Sequence, residues 1–415
     1  MTAAEESAAP ADWTAYRRLF LANVLALLGT GIATVGLALA AFDLAPDDAG
    51  AVLGTALAIK MAAYVLFAPL GAAVVGRLPR GTVMIASDLV RAAVALTLPW
   101  VDAVWQVYLL IFVFQAASGI FLPAYQATVP DLLPDERDYV RAIAKARLAY
   151  DLEALLSPAL AAALLLLVTW HGLFVGTSVG FLVSAWLITR ARLPSPRLAP
   201  DGDALGRLSL GLRAFWLQPR LRGLAAIGLV AAVASAMVTV NTVVLTQGEL
   251  DLTSRATAIA YAVFGAGSIL ATLLLPRILE QIPDRTAMLA GALVLVVALL
   301  AGVVVRAHAS LLVLWFALGV GCAITQTPAA SVLRRSSSRA ERQQLYAVHF
   351  ALGNIWLIGA YPLAGHLGAS ISVAGAFAVF AVLAAAGAML AAWLWPRRDA
   401  RVLQRGGPLA GDGEP

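Results

Sequence analysis

The sequence has few charged residues, few histidines and almost no cysteine, and each shortage excludes a class of protein. Charged residues make up 13% of its 415 positions and hydrophobic residues 61%, which is too apolar for a water-soluble globule. The single cysteine, Cys322, excludes an internal disulfide and a metal site built of cysteines. The four histidines show no HxxxH or HExxH spacing, so no metal cluster is predicted. Without a GxxxxGK[ST] phosphate loop or an acid/base pair near the lipid headgroups, we expect no cofactor, no ATP drive and no enzyme.

Long apolar runs dominate what is present. A helix needs about 20 mostly apolar residues to cross the hydrocarbon of a bilayer, and runs of that length recur along the chain. We therefore predict an all-α membrane protein with twelve transmembrane helices. Their approximate spans are 19–42, 51–76, 82–101, 105–126, 148–169, 172–189, 223–246, 256–275, 286–305, 311–330, 345–367 and 373–395.

The distribution of basic residues predicts the orientation, because lysine and arginine resist translocation. With the N-terminus in the cytosol, 25 basic residues fall inside and only Arg255 and Arg306 outside, with Lys60 and Arg91 within spans. The first sixteen residues lack the basic segment of a cleavable signal, so the first span should remain as an anchor. We predict a multi-pass protein of the bacterial cytoplasmic membrane, with both termini cytosolic and lipid, not nucleic acid, as its surroundings.

An internal repeat divides the chain into two halves. Sliding the sequence by 204 or 205 residues aligns LPRGTVM at 78–84 with IPDRTAM at 282–288, and Pro123 with Pro328. We predict two parallel six-helix repeats, at 17–189 and 223–396, that rock about a central site. Tails at 1–16 and 397–415 and a connector at 190–222 should be cytosolic. Within the connector, residues 207–219 predict either a short amphipathic helix on the membrane or a plain linker.

Several motifs resemble those of the major facilitator superfamily. GAAVVGRLPRG at 71–81 is similar to its loop after the second span, with Arg77 and Arg80 at basic positions. SGIFLPAYQATVPDLLPDERDYVRA at 118–142 is similar to the exporter branch called the third drug:proton antiporter family, which includes siderophore, macrolide and nickel-resistance exporters.

The resemblance implies the major facilitator fold and a secondary active transporter. Its expected activity is proton-coupled efflux, by antiport and alternating access, of a small molecule or ion. We expect a monomer whose partners are this substrate, protons and the bilayer. An importer or a non-transporting sensor of the same fold remains an alternative.

Charged groups inside spans are the first candidates for function, because placing them in the membrane is costly. Lys60 lies too deep in the second span to reach the outer headgroups. It is predicted either to be a counter-ion for a carboxylate or an anionic substrate in the cavity, or to be a structural partner of an acid on a neighbouring helix.

Three acids are candidates for proton coupling: Asp151, Glu153 and Asp88. Arg147 and Asp151 form a same-face i, i+4 pair, which leaves Glu153 the less neutralised acid. Apolar surroundings disfavour the ionised form of a carboxylate, so Glu153 is suited to take and release a proton during transport. A structural ion-pair network at this place is the alternative.

Asp88 and Arg91, spaced i and i+3, can neutralise each other on the third span, either as a latch or as part of a proton site. With Arg77 and Arg80 they form the predicted latch group, in which Asp88 could also serve Arg77 or Arg80.

The predicted substrate cavity is lined by Lys60 and by uncharged polar or aromatic residues that could equally make ordinary hydrogen bonds between helices. These are Asn23, Gln115, Tyr125, Gln126, Asn241, Thr242, Thr325, Gln326, Asn354 and Trp356.

Overall fold

The computed structural model is helical throughout the part of the chain that it describes. The described residues are 11–75, 78–135, 138–139, 141–142, 145–146, 149, 153, 157, 160–161, 163–193, 212–336 and 342–396. Within them, the helices that we number run as follows: α1 Trp13–Leu44, α2 Ala49–Val75, α3 Arg80–Thr97, α4 Val104–Leu132, α5 Trp170–Ala191, α6 Pro219–Val243, α7 Ser254–Leu279, α8 Asp284–Gly302, α9 His308–Gln326, α10 Ala329–Arg335, α11 Arg342–Ser370 and α12 Val373–Leu394.

Eleven spans in the described ranges are long and apolar enough to cross a membrane, with the short α10 continuing the span of α9. The predicted fifth span, 148–169, lies largely outside the described residues. Two helices are longer than predicted, since α1 already begins at Trp13 and α4 continues to Leu132. Residues 212–217 of the connector are helical. Large apolar side chains such as Leu167, Val313 and Trp393 face outward, as a lipid-facing surface requires.

Local sequence explains where several helices begin. Asp12 caps α1 by accepting a hydrogen bond from the Ala15 amide at 2.9 Å. Pro79 and Pro283, which the internal repeat aligns, stand directly before α3 and α8 in similar extended conformations. Proline disfavours helix in the residue before it and lacks an amide hydrogen that a helix interior needs, so it marks a helix start well. The repeat therefore preserves the position of a helix start as well as similarity of sequence.

The two halves pack in the same pattern. In the first half α1 packs on α5, α2 on α4, and α3 on both α4 and α5. In the second half α6 packs on α12, α7 on α9, and α8 on both α9 and α12. These are the equivalent pairs under the repeat, so the predicted duplication is confirmed for the described helices, which supply five spans of the first half and six of the second.

The hydrophobic core differs between the two ends of the molecule. At the end where α1 leads into α2, one continuous core includes residues of both halves, such as Leu53 of α2 and Trp315 of α9. At the other end, where α1 begins and α12 ends, each half has its own core, one around Tyr16 and one around Met288. We call these the joined end and the divided end. Among the described residues, the halves thus share a hydrophobic core at the joined end only.

Candidate functional site

Lys60 lies in the middle of α2 and is only half-buried. Its Nζ donates to Thr34 Oγ1 of α1 at 3.0 Å, the one hydrogen bond it makes to a described residue. An ammonium has three N–H groups, so this contact leaves capacity for a further acceptor. Lys60 borders a narrow cavity lined also by Thr30, Ala33, Thr34, Leu37, Leu98, Ile111 and Phe114. Apart from the ammonium and two hydroxyls, the wall is apolar.

Glu153 approaches α1 beside Gly31. Ser157 Oγ donates to Glu153 Oε1 at 3.4 Å. A Cβ atom at position 31 would overlap both Glu153 Oε1 and Ser157 Oγ, so only glycine leaves room for the carboxylate here. Gly31 and Thr34 are spaced i and i+3 and lie on one side of α1. The contact of Glu153 with α1 is therefore on the side that carries the partner of Lys60.

Lys60 and Glu153 are close enough for their opposite charges to interact electrostatically. They do not form a direct ion pair among the described contacts. Each is instead held by a hydroxyl group, Lys60 by Thr34 and Glu153 by Ser157. Sequence reasoning selected both charged residues but not the glycine and threonine that position them. Asp151 lies outside the described residues.

Asp88 and Arg91 form an ion pair inside the first half, and both side chains are almost fully buried. Ser184 Oγ of α5 donates to Asp88 Oδ2 at 2.7 Å. The Arg91 guanidinium lies over the rings of Phe121 and Phe181, 4.5 Å from each ring centre. The cluster joins α3 to α4 and α5, which favours a structural role over a proton site.

The predicted partner of Arg80 is corrected by the structure. Arg80 begins α3 and pairs with Asp131 near the end of α4, and its Nη1 also donates to the Ala127 carbonyl at 2.6 Å. Asp88 lies eight residues further along α3, about 12 Å by helical rise, which is too far for a direct contact. Arg77, the other predicted latch residue, lies outside the described residues.

The second half carries an ion pair at the equivalent place with its charges exchanged. Asp284 begins α8 and accepts from Arg335 Nη1 at the end of α10, at 3.0 Å. An offset of 204 residues relates Arg80 to Asp284 and Asp131 to Arg335. Asp131 and Arg335 were not selected from the sequence, although the repeat alignment contained the signal.

The predicted cavity residues of the first half are not brought together into one polar site. Asn23, Gln115 and Tyr125 are buried within the bundle, whereas Gln126 is exposed. Gln115 Oε1 and Tyr125 OH have no hydrogen-bond partner among the described residues. None of these four lines the cavity beside Lys60.

Two of the predicted residues in the second half tie helices together. Asn241 Nδ2 of α6 donates to the Ala364 carbonyl of α11 at 3.2 Å. Thr242 Oγ1 accepts from Trp315 Nε1 of α9 at 2.8 Å. Tyr261 OH of α7 donates to the Thr239 carbonyl at 2.6 Å. Trp315 and Tyr261 were missed, because an aromatic residue in an apolar run gives no signal of its hydrogen bond.

The other predicted residues of the second half have varied surroundings. Thr325 is buried and bonds to its own helix at the Gly321 carbonyl, and Gln326 is exposed. Asn354 Nδ2 donates to the Phe350 carbonyl at 2.8 Å, and Trp356 lies next to α6 with Nε1 unpaired among the described residues.

Helices α2 and α11 form a close seam between the halves. The backbones meet where Gly50 faces Gly365 and where Gly54 faces the Tyr361 carbonyl. Further along, the ring centres of Tyr64 and Phe350 are 5.9 Å apart. The helices are antiparallel in this register, which brings Asn354 to the level of Lys60. The glycines at the joined end permit the backbone contact that seals it.

The sequence contains one GxSxG pattern, at residues 176–180, that sequence reasoning overlooked. Its serine, Ser178, lies in the middle of α5 and donates to the carbonyls of Ala92 and Phe174 at 3.0 Å. A nucleophilic serine of this motif needs an exposed turn between a strand and a helix. The pattern therefore carries no catalytic serine here.

Two equivalent helical bundles, with a shared core at one end and separate cores at the other, are the architecture of membrane transporters built from two repeats. The sequence matches the Major Facilitator Superfamily over residues 19–304 and 225–410, and the chain belongs to that superfamily. It is a transporter and not an enzyme, which confirms the fold and class expected from the sequence.

Relatives and solved structures agree with this assignment. A segment of 124 residues is 26% identical to the uncharacterized MFS-type transporter YfiS of Bacillus subtilis strain 168, and the match covers 30% of each protein. A bacterial homolog of the lysosomal transporter Spinster, inward-facing and unoccupied, superposes with a TM-score of 0.71 at 15% identity, over 92% of this chain and 97% of that one. The nucleoside transporter NupG gives 0.70 at 15% identity, over 92% and 100%. These likenesses establish the fold.

Proposed function

We propose that the protein exports a small molecule in exchange for protons by alternating access. The observation that carries this proposal is the pair of opposite charges on one side of α1. Lys60 and Glu153 interact across space, yet each is hydrogen-bonded to a hydroxyl group and not to the other. A carboxylate held in this way, in a mostly apolar bundle, can accept a proton without first breaking an ion pair.

Exchange requires that the proton and the cargo exclude each other from one group, since a transporter that binds both together moves them in the same direction. We assign this role to Glu153. When it is ionised, it balances the charge of Lys60 and is free to bind cargo. When it is protonated, it no longer attracts a positively charged group, and the cargo is released.

The joined and divided ends supply the two gates. The seam of α2 and α11 closes the joined end, while the described residues at the other end form two separate cores, one in each half. With the predicted orientation, in a bacterial cytoplasmic membrane with both termini in the cytosol, we assign the divided end to the cytosolic gate. The resemblance of residues 118–142 to an exporter branch supports the outward direction, and we take the working unit to be a monomer.

The test uses inverted membrane vesicles whose lumen is acidified by respiration. The cargo is found first, by comparing the sensitivity of a deletion strain and its parent to metals, antibiotics and toxic anions. In vesicles containing the wild-type protein, adding that cargo should release lumenal protons, seen as recovery of a quenched pH-sensitive dye. Glu153→Gln should abolish the recovery, while Glu249→Gln, a matched change at the exposed end of the π-helical segment that follows α6, should leave it intact.

Unchanged dye recovery in the Glu153→Gln protein would remove this residue from the coupling mechanism. Accumulation of cargo only in right-side-out vesicles would replace export by import. Import is the second candidate, and Lys60 is the observation in its favour. A purely anionic cargo would bind this ammonium best when Glu153 is protonated, so that the anion and the proton would enter the cell together.

A further inference from the structure

We infer that the cargo is a small zwitterion with an apolar body, whose carboxylate binds Lys60 and whose ammonium binds Glu153. This inference rests on the proposed role of these two residues in transport. It adds to that role the chemical class of the molecule that is moved.

The hydrogen bonds of the two charged groups leave room for a further partner on each. The Lys60 ammonium spends one hydrogen bond on Thr34, and Glu153 accepts from Ser157. Both keep further hydrogen-bonding capacity, since an ammonium has three donors and a carboxylate about four acceptor positions. A bound molecule with one group of each sign can use this capacity at both ends, as in charge-assisted hydrogen bonds generally.

The spacing of the two charged groups along α1 also favours a zwitterion. Thr34 and Gly31 lie one turn apart on the same side of α1, so the two charged groups meet α1 at neighbouring positions. The missing side chain at Gly31 is what allows the carboxylate to approach, because a Cβ atom there would overlap it. The positions at which the two groups meet α1 are therefore about one helical turn apart, roughly 5 Å along the axis, a spacing that suits a compact amino acid.

The opposite charges of Lys60 and Glu153 disfavour a cargo with a single charge. A singly charged cation attracted to Glu153 is repelled by Lys60, and a singly charged anion attracted to Lys60 is repelled by Glu153. The fully buried charges of Asp88 and Arg91 neutralise each other in direct contact, so they do not offset this repulsion. A zwitterion satisfies both groups at once and brings no net charge into the membrane.

The apolar wall beside Lys60 favours a cargo with an apolar body. The cavity beside Lys60 is lined by the side chains of Leu37, Ile111 and Phe114, besides the two threonines. The cavity is too narrow to enclose such a body as it stands, but an apolar substituent placed against this wall gains favourable contact, whereas a polar one would lose its hydrogen bonds to water.

Three probes that share one aromatic body and differ in charge test this inference: L-phenylalanine, 3-phenylpropionate and 2-phenylethylamine. Their affinities for the purified full-length protein in detergent are measured by titration calorimetry. The wild type should bind phenylalanine at least about tenfold more tightly than either singly charged probe, the factor lost with one hydrogen bond to a charged group. Equal or tighter binding of a singly charged probe, or no binding of phenylalanine, would overturn the inference.

Two variants should reverse the preference in opposite directions. Glu153→Gln leaves Lys60 as the only charge and should favour 3-phenylpropionate, while Lys60→Met should favour 2-phenylethylamine. Lys145→Met removes the only other lysine of the chain, which is exposed, and should keep the wild-type order. The same shift in both site variants would contradict the assignment of the two ends. Because these measurements need no proton gradient, they can succeed while the vesicle assay fails, and the reverse.

Discussion

Asp88→Asn separates a structural role of the buried Asp88–Arg91 pair from a role in proton transfer. The Asp88 side chain is fully buried and that of Arg91 is 4% exposed, so water cannot replace a lost partner. Removing the carboxylate charge takes the ion pair away from the guanidinium that lies between Phe121 and Phe181. Breaking a buried pair in this way costs about 3–5 kcal/mol. We expect a fall in melting temperature on the order of 5 °C or more.

The measurement is thermal denaturation of the protein in detergent, followed by size-exclusion chromatography of what remains folded. The double variant Asp88→Leu/Arg91→Met, which removes both charges, should recover much of the loss, because exchanging a whole buried pair for apolar residues is often neutral. Arg335→Met serves as the comparison. Its side chain is 50% exposed and its pair with Asp284 should contribute only about 0.2–1 kcal/mol. If Asp88→Asn melts like the wild type while transport loses its response to pH, Asp88 is a proton site and the structural reasoning is refuted.

Three further changes test the remaining geometry. Gly31→Ala should displace the Glu153 carboxylate and weaken proton-coupled transport at least about tenfold with normal expression, measured by dye recovery in vesicles; full activity would show that the carboxylate does not need this approach. Thr34→Val keeps the shape but removes the hydroxyl from Lys60, and binding of 3-phenylpropionate should tighten as the ammonium gains a free donor; titration calorimetry would show no change if the contact is incidental. Gly365→Leu should force α2 and α11 apart at the joined end, and a longer spin-label distance across the seam would report it, whereas an unchanged distance would show that the backbones do not hold that gate shut.

The features of this protein that could be predicted from the sequence are those that depend on the local pattern of residues. Apolar runs of bilayer length predict where the eleven described spans lie, and the matched prolines before α3 and α8 indicate the duplication. Lys60 and Glu153 were identified because a charge in an apolar run is conspicuous. The residues that position them were not identified. The closeness of Gly31 to Glu153 depends on the packing of two helices against each other, which the periodicity of a single helix does not reveal.

The pairing of Arg80 shows the same limit from the other side. Its sequence neighbours suggested Asp88, although the rise of a helix already separates these residues. The actual partner, Asp131, lies on another helix that the fold brings beside the start of α3. Pairing within one helix can be judged from spacing, whereas pairing between helices requires the packing.

The exchanged ion pairs of the two halves differ in how the neighbouring helix dipoles act on their charges. Asp284 begins α8 and Arg335 ends α10, so each charge sits at the helix terminus of opposite polarity. Arg80 begins α3 and Asp131 lies in the last turn of α4, so each opposes the helix dipole beside it, by about 0.3–1 kcal/mol at either terminus. The pair of the second half is therefore favoured by the helix termini beside it, whereas the pair of the first half, opposed by them, depends on its burial and on the second hydrogen bond of Arg80 to the Ala127 carbonyl.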